Sequence, residues 1–181
     1  MTVEVTSAEA TALFTRREVP TTELSDAAPD LVRACYAMAR RFVEGGRLLA
    51  FGSGCAAKDA AHVAVEFVHP VIVGKRALPA LQLPDPRRLA LFAEPADIAF
   101  GISATGEDEA VAAGLAQARD RGLLTVALLG GDGGSIGRLP GLNHVLVMPA
   151  TDSRVVREMH VTTYHVLWEL VHVFLERPGV L

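Results

Sequence analysis

The 181-residue sequence predicts an α/β protein, a three-layer α/β/α sandwich around a five-stranded parallel sheet, entered through an N-terminal helical arm. Three observations carry that prediction. Short apolar runs of strand length recur five times after residue 46, segments of helical period lie between them, and the residues before about 45 show helical period alone. Strands covered on both faces read as unbroken apolar runs, and strands alternating with helices imply right-handed crossovers within one parallel sheet.

The arm runs from Ser7 to about Gly45, with Leu31, Val32, Cys35, Met38, Ala39 and Phe42 at spacings of three and four. Asp30, following Pro29, is the expected cap of its second helix, and Gly45-Gly46 ends it. The first strand is 47–51, closed by Gly52; the others are expected at 78–83, 97–102, 123–129 and 144–148. Helices are expected at 55–68 and 107–121, with a short one near 86–92, a turn near 134–139 and a long final helix from about 154 to 176. No internal repeat, linker or low-complexity stretch interrupts the chain. A single domain over 1–181 is therefore expected, with the arm at 1–45 and the α/β core at 46–181.

Composition narrows the function classes. Half the residues are apolar but only 6% are aromatic, so the core is one of Ala, Val and Leu. Seventeen Lys and Arg against 21 Asp and Glu give a net charge of −4, and no basic run offers a track for a phosphate backbone. Nucleic acid is thus not expected as a direct partner. Mean hydropathy is +0.31, yet every apolar run is broken by charge or Gly well short of the roughly 20 residues of a spanning helix. The surplus apolar surface points instead to a subunit interface. Met1-Thr2-Val3-Glu4-Val5 lacks the pattern of a signal peptide, and Cys35 and Cys55 form neither a metal knuckle nor a disulfide framework, so a reduced, cytoplasmic chain is expected.

In an open parallel sheet, ligands bind beyond the carboxyl ends of the strands, where strand order reverses. Gly52-Ser53-Gly54-Cys55 follows the first strand, and Gly101-Ile102-Ser103-Ala104-Thr105-Gly106 ends the third. Both are small, hydroxyl-bearing loops opening onto helices, where backbone N–H groups favour an anion. Either loop alone also serves as a tight strand-to-helix turn; two together point to a phosphate or sugar-phosphate pocket. Neither has the Gly-Lys-Ser/Thr of a P-loop nor a dinucleotide fingerprint, so no nucleotide cofactor is expected.

The helix after the first loop carries His62 and Glu66 on one face, and the final helix carries His165. An imidazole and a carboxylate four apart can bind a divalent metal, work as an acid/base pair, or make a solvated helix contact. His62, Glu66 and His69 repeat the spacing of His165, Glu169 and His172. Capping or interface roles are expected for His69, Glu169 and His172.

Residues 62–66 (His-Val-Ala-Val-Glu), 101–106 (Gly-Ile-Ser-Ala-Thr-Gly) and 158–160 (Glu-Met-His) followed by His165 give the chain a family likeness. In this order it resembles the sugar isomerase (SIS) domain proteins, in particular the bacterial phosphoheptose isomerases, over essentially its whole length. The resemblance implies a flavodoxin-like fold and an isomerase that interconverts ketose and aldose phosphates through an enediol. It implies Glu66 as the base and His165 as the acid. Zinc would be held by the positions of His62, Glu66 and His165 together with a Gln, in a homotetramer with active sites shared between subunits. Ser53, Ser103 and Thr105 would cradle the phosphate, with Asp85 near the sugar hydroxyls.

Four positions depart from the family pattern. Ala56 stands where the first loop has a serine, Asp108 at the third hydroxyl of the second loop, Arg157 at the Gln ligand, and Pro70 at an Arg after the base. A carboxylate beside a phosphate repels it, and a guanidinium cannot ligate a cation. Arg157 would then be an anion clamp that offsets Asp108, or Asp108 a first-turn acid favouring its helix N-terminus. Beside the isomerase stand two other readings: a non-catalytic module that binds a sugar phosphate or bridges protein partners, and a metalloenzyme of another class.

Overall fold

The computed structural model describes residues 6–177 and Gly179; the N-terminal pentapeptide read above for a signal sequence lies outside the described residues. Helix α1 (Ser7–Glu23) opens on a capping box, in which Thr6 and Glu9 satisfy each other's backbone N–H groups. A 3-10 turn (Leu24–Ala27) leads directly into α2 (Ala28–Val43). Asp30 is therefore not the cap expected of it. The turn already bonds the Ala28 N–H to the Ser25 carbonyl, and Asp30, inside the first turn, pairs with Arg33.

The sheet comprises β1 (Leu48–Gly52), β2 (Ala80–Gln82), β3 (Ile98–Ser103), β4 (Leu124–Gly130) and β5 (His144–Met148), all parallel, in the order β2-β1-β3-β4-β5. Helices α3 (Ala56–Val68), α4 (Glu109–Asp120), α5 (Gly134–Gly137) and α6 (Ser153–Leu175) complete it, with a 3-10 helix at Pro86–Leu91. Alternation along β1 sends Leu48 and Ala50 to a core shared with α2, α3 and α6, while Leu49 and Phe51 face α4, α5 and the 3-10 helix. The three inner strands β1, β3 and β4 are buried throughout, as continuous apolar runs require.

The second strand is shorter than the expected 78–83. The Leu78 N–H is taken by the Phe67 carbonyl at the end of α3, and Pro79 has no N–H to add to a ladder. Leu78 and Leu83 are nonetheless buried, so the apolar run marks core anchors on either side of a three-residue strand. Helix α6 packs along α2, which joins the N-terminal arm to the core. No helix among the described residues is long and apolar enough to cross a membrane.

Candidate functional site

The order of the sheet reverses at β1 and β3, and a cleft of about 280 Å³ opens there, lined by Ser53, Ser103, Thr105, Glu107 and Asp108 among others. Gly52 permits the turn into α3, since a Cβ there would sit 2.7 Å from the Ala56 backbone carbonyl group. Gly106, at φ 72°, lets the two neighbouring loops touch; a Cβ would lie 2.1 Å from the Gly133 carbonyl oxygen.

Each hydroxyl expected of the cradle lines this cleft, and each oxygen also makes a contact within the chain. Ser53 donates to the Asp108 carboxylate. Ser103 Oγ accepts from the Gly106 N–H at 3.0 Å, and Thr105 Oγ1 accepts from the Glu107 N–H at 3.2 Å. Asp108 is the N-cap of α4, accepting from the Val111 N–H at 3.0 Å, so its carboxylate occupies the helix end that would draw an anion. Among the described residues, no Lys, Arg or His lines the cleft. Asp85 is outside its lining: it caps the 3-10 helix and is held below the usual carboxylate range by hydrogen bonding to Arg87, 2.9 Å from its Nε.

Further along α3, three predicted residues do converge. His62 Nε2 lies 3.0 Å from Glu66 Oε1, and His165 Nε2, from α6, lies 3.9 Å from the same oxygen. One ligand atom from each falls within 4.8 Å of the other two. Glu66 is largely buried, whereas the two imidazole side chains are 45% and 43% exposed and so accessible from outside the chain. Two imidazoles and one carboxylate are the donor set a catalytic zinc uses when its fourth position is left open, so these residues fit the metal that the resemblance implies.

Sequence reasoning missed Tyr164. Its hydroxyl lies 2.7 Å from His62 Nδ1, and its ring meets those of His62 and His165 edge-on, at centroid separations of 5.5 and 4.9 Å. Burial pushes the phenol up to about 12, with the charges of Asp59 and Glu66 adding to the effect. The available signal was position alone, since residue 164 precedes His165 on the helix facing α3.

Arg157 neither ligates nor lines the cleft. It forms a two-pronged pair with the buried Asp59 of α3, Nε to Oδ2 at 3.2 Å and Nη2 to Oδ1 at 3.0 Å. Nearby His160 is fully buried, with no hydrogen-bond partner for either ring nitrogen among the described residues, and burial pushes it down to about 4, so it is neutral at pH 7. His69 is the C-cap residue of α3. His172 is buried, its Nδ1 2.9 Å from the Trp168 carbonyl oxygen and its Nε2 3.0 Å from that of Arg76, which ties α6 to the segment between α3 and β2.

A doubly covered parallel sheet with a cleft at its switch point, and a metal-competent group between two helices beside it, define an α/β protein of the sugar isomerase fold class. Comparison with known proteins narrows this. No protein-family model matches the chain. It is 35% identical over 166 residues to the phosphoheptose isomerase of Pelobacter propionicus, covering 82% of this chain and 83% of that one. With that of Chlorobaculum tepidum the identity is 37% over 164 residues, 78% of each chain. The solved phosphoheptose isomerase from Francisella tularensis superposes with a TM-score of 0.85 at 21% identity, covering 93% of this chain and 99% of that one. The chain belongs to the phosphoheptose isomerase family.

Proposed function

We propose that the chain is an aldose–ketose isomerase acting on a sugar phosphate, with Glu66 as base and His165 as acid. The observation that carries this reading is the convergence of His62, Glu66 and His165 from two helices onto one partly open group. Glu66 takes the proton from the carbon beside the substrate carbonyl, while His165 gives a proton to the carbonyl oxygen, leaving a neutral enediol. Delivery of a proton from Glu66, exchanged with water while the carboxyl holds it, to the neighbouring carbon, with His165 accepting the proton of the other hydroxyl, completes the isomerisation with no net gain or loss. His62, Glu66 and His165 would hold zinc, which when bound supplies Lewis acidity toward the substrate oxygen.

The working site lies between protomers of a homo-oligomer, which we take to be a tetramer. Ala56 at the cleft and Glu66 are ten residues apart, roughly 15 Å along α3 at 1.5 Å per residue. Val65 and Val166, beside the base and the acid, are exposed, and so are Val71, Ile72 and Val73 just beyond α3. A second copy covering these residues would bring its own cleft to the group. Two free cysteines among the described residues accord with a cytoplasmic location.

Isomerisation of a heptose phosphate in heavy water tests the reading. Deuterium entering the product at the carbon beside the carbonyl supports it, and turnover without exchange overturns the enediol route. The Ser53 hydroxyl committed to Asp108 and the two acids of the cleft favour a second reading, a non-catalytic module that binds a sugar phosphate or bridges protein partners. Melting curves with a panel of sugar phosphates, with and without zinc, separate the two: a rise with one sugar phosphate but no turnover selects the module.

A further inference from the structure

The seam between α3 and α6 continues past the His–Glu–His group toward the N-terminal ends of both helices. Asp59 faces Arg157, His62 faces Tyr164 and Glu66 faces His165, so the helices run in the same direction with three polar rungs between them. Asp59 and Glu66 are seven residues apart, roughly 10 Å along α3 at 1.5 Å per residue, and Arg157 and His165 are eight apart, roughly 12 Å along α6. A cation thus stands at one end of the seam and the base and acid at the other, a length that an open-chain hexose or heptose phosphate spans.

The pair with Asp59 leaves most of the guanidinium free. Five N–H groups are available on an arginine. Asp59 accepts two of them, from Nε at 3.2 Å and from Nη2 at 3.0 Å; the second N–H of Nη2 and both of Nη1 have no partner among the described residues. Those form a second fork on the outer edge, the geometry that grips a phosphate through two parallel hydrogen bonds. The Arg157 side chain is 41% exposed and that of Asp59 only 7%, so an anion arriving from outside meets the guanidinium with the carboxylate behind it. Asp59 also fixes the plane of the fork in advance, which lowers the cost of ordering it on binding. The cleft, by contrast, offers two acids and, among the described residues, no cation.

We propose that Arg157 is the phosphate-binding residue of this chain, pinned by Asp59 so that its free edge takes the phosphate of a sugar whose carbonyl end lies at Glu66 and His165. This rests on the isomerase reading for the placement of the carbonyl end. The phosphate meets Arg157 on one side and leaves its other oxygens open to the cleft of a covering copy.

Calorimetric titration with heptulose 7-phosphate and with the unphosphorylated heptulose tests it. The unaltered protein is expected to bind the phosphorylated sugar more tightly. Arg157→Gln should weaken that binding about 10- to 100-fold, the span of lost hydrogen bonds to a charged group, and leave the unphosphorylated sugar as it was. Arg157→Lys, which keeps the charge and loses the fork, should fall between. Because Arg157→Gln leaves Asp59 buried without its cation, the double variant Asp59→Asn, Arg157→Gln removes both charges and repeats the measurement. Equal losses for the two sugars, or a phosphate preference that survives in these variants, would each overturn the proposal. Phenylglyoxal labelling needs no variant: heptulose 7-phosphate should shield Arg157 of the unaltered protein from the reagent, read by peptide mass, and labelling that it leaves unchanged would overturn the proposal as well. Turnover with a phosphate preference unmoved by Arg157→Gln faults this inference alone, and phosphate-dependent binding through Arg157 without turnover faults the isomerase reading alone. Failure of the unaltered protein to bind heptulose 7-phosphate overturns both.

Discussion

The cleft at the ends of β1 and β3 and the His62–Glu66–His165 group share helix α3, and they treat their polar atoms in opposite ways. In the cleft, Ser53 donates to Asp108, Ser103 and Thr105 accept from backbone N–H groups of their own loop, and Asp108 holds the end of α4. Along the helix, the imidazoles of His62 and His165 converge on one carboxylate and stay open to approach. The cleft is shaped by turns and caps; the group is shaped by two packed helices that hold reactive atoms in place. Reactive side chains on rigid elements and loops committed to their own geometry place the chemistry with the helices.

That contrast can be broken at several points. The largest effect belongs to Glu66→Gln, expected to lower kcat about 1,000-fold, the usual span of a lost general base, with the oligomer and melting temperature unchanged. Ser53→Ala should alter kcat/KM less than about threefold, because its hydroxyl already serves Asp108. Equal losses in the two variants, measured by steady-state kinetics, would erase the distinction.

Next comes acid stability, set by His160, near the Arg157–Asp59 pair that lies between the two regions. Its folded-state pKa, about 4, lies below the ordinary 6.5, so the unfolded chain takes up the proton first as pH falls. Stability from this group is complete above about pH 6.5 and is lost progressively down to about pH 4, for a total of roughly 3 kcal/mol. Denaturant titrations of His160→Leu should show that part of the pH dependence removed.

Arg157→Ala should destabilise by about 2 kcal/mol, less than a fully buried pair would cost, since Asp59 is left buried without its cation but the guanidinium itself is partly exposed. The smallest effect is expected of Asp108→Asn. Asn caps a helix as well as Asp, so stability should stay within about 0.5 kcal/mol while the KM for a sugar phosphate falls severalfold as a negative charge leaves the cleft. An unchanged KM would remove the cleft from phosphate binding.

Much of the fold is written in local pattern. The inner strands are buried on both faces, so their apolar runs stand out, and His62 and Glu66 are paired by helical spacing alone. Asp30 misled because a preceding 3-10 turn satisfied the helix start without it, and β2 because its flanking leucines are buried without pairing. Asp108 admitted two readings, a charge at the phosphate loop and a first-turn acid; it stands one position earlier as the N-cap of α4, bonded to the Val111 N–H, and still lines the cleft. Tyr164 and the Arg157–Asp59 pair depend on how α3 meets α6 across some hundred residues, which no local pattern encodes.

The packing of α2 against α6, and the tether from His172 to the Arg76 carbonyl, set an order on biosynthesis. While the chain is still emerging from a ribosome, the apolar face of α2, and the part of that core which α2 and α3 leave unfilled, have no cover until residues 153–175 follow. The nascent protein must therefore pass through an interval with this part of its core exposed, a natural point of engagement for a chaperone and of loss to aggregation.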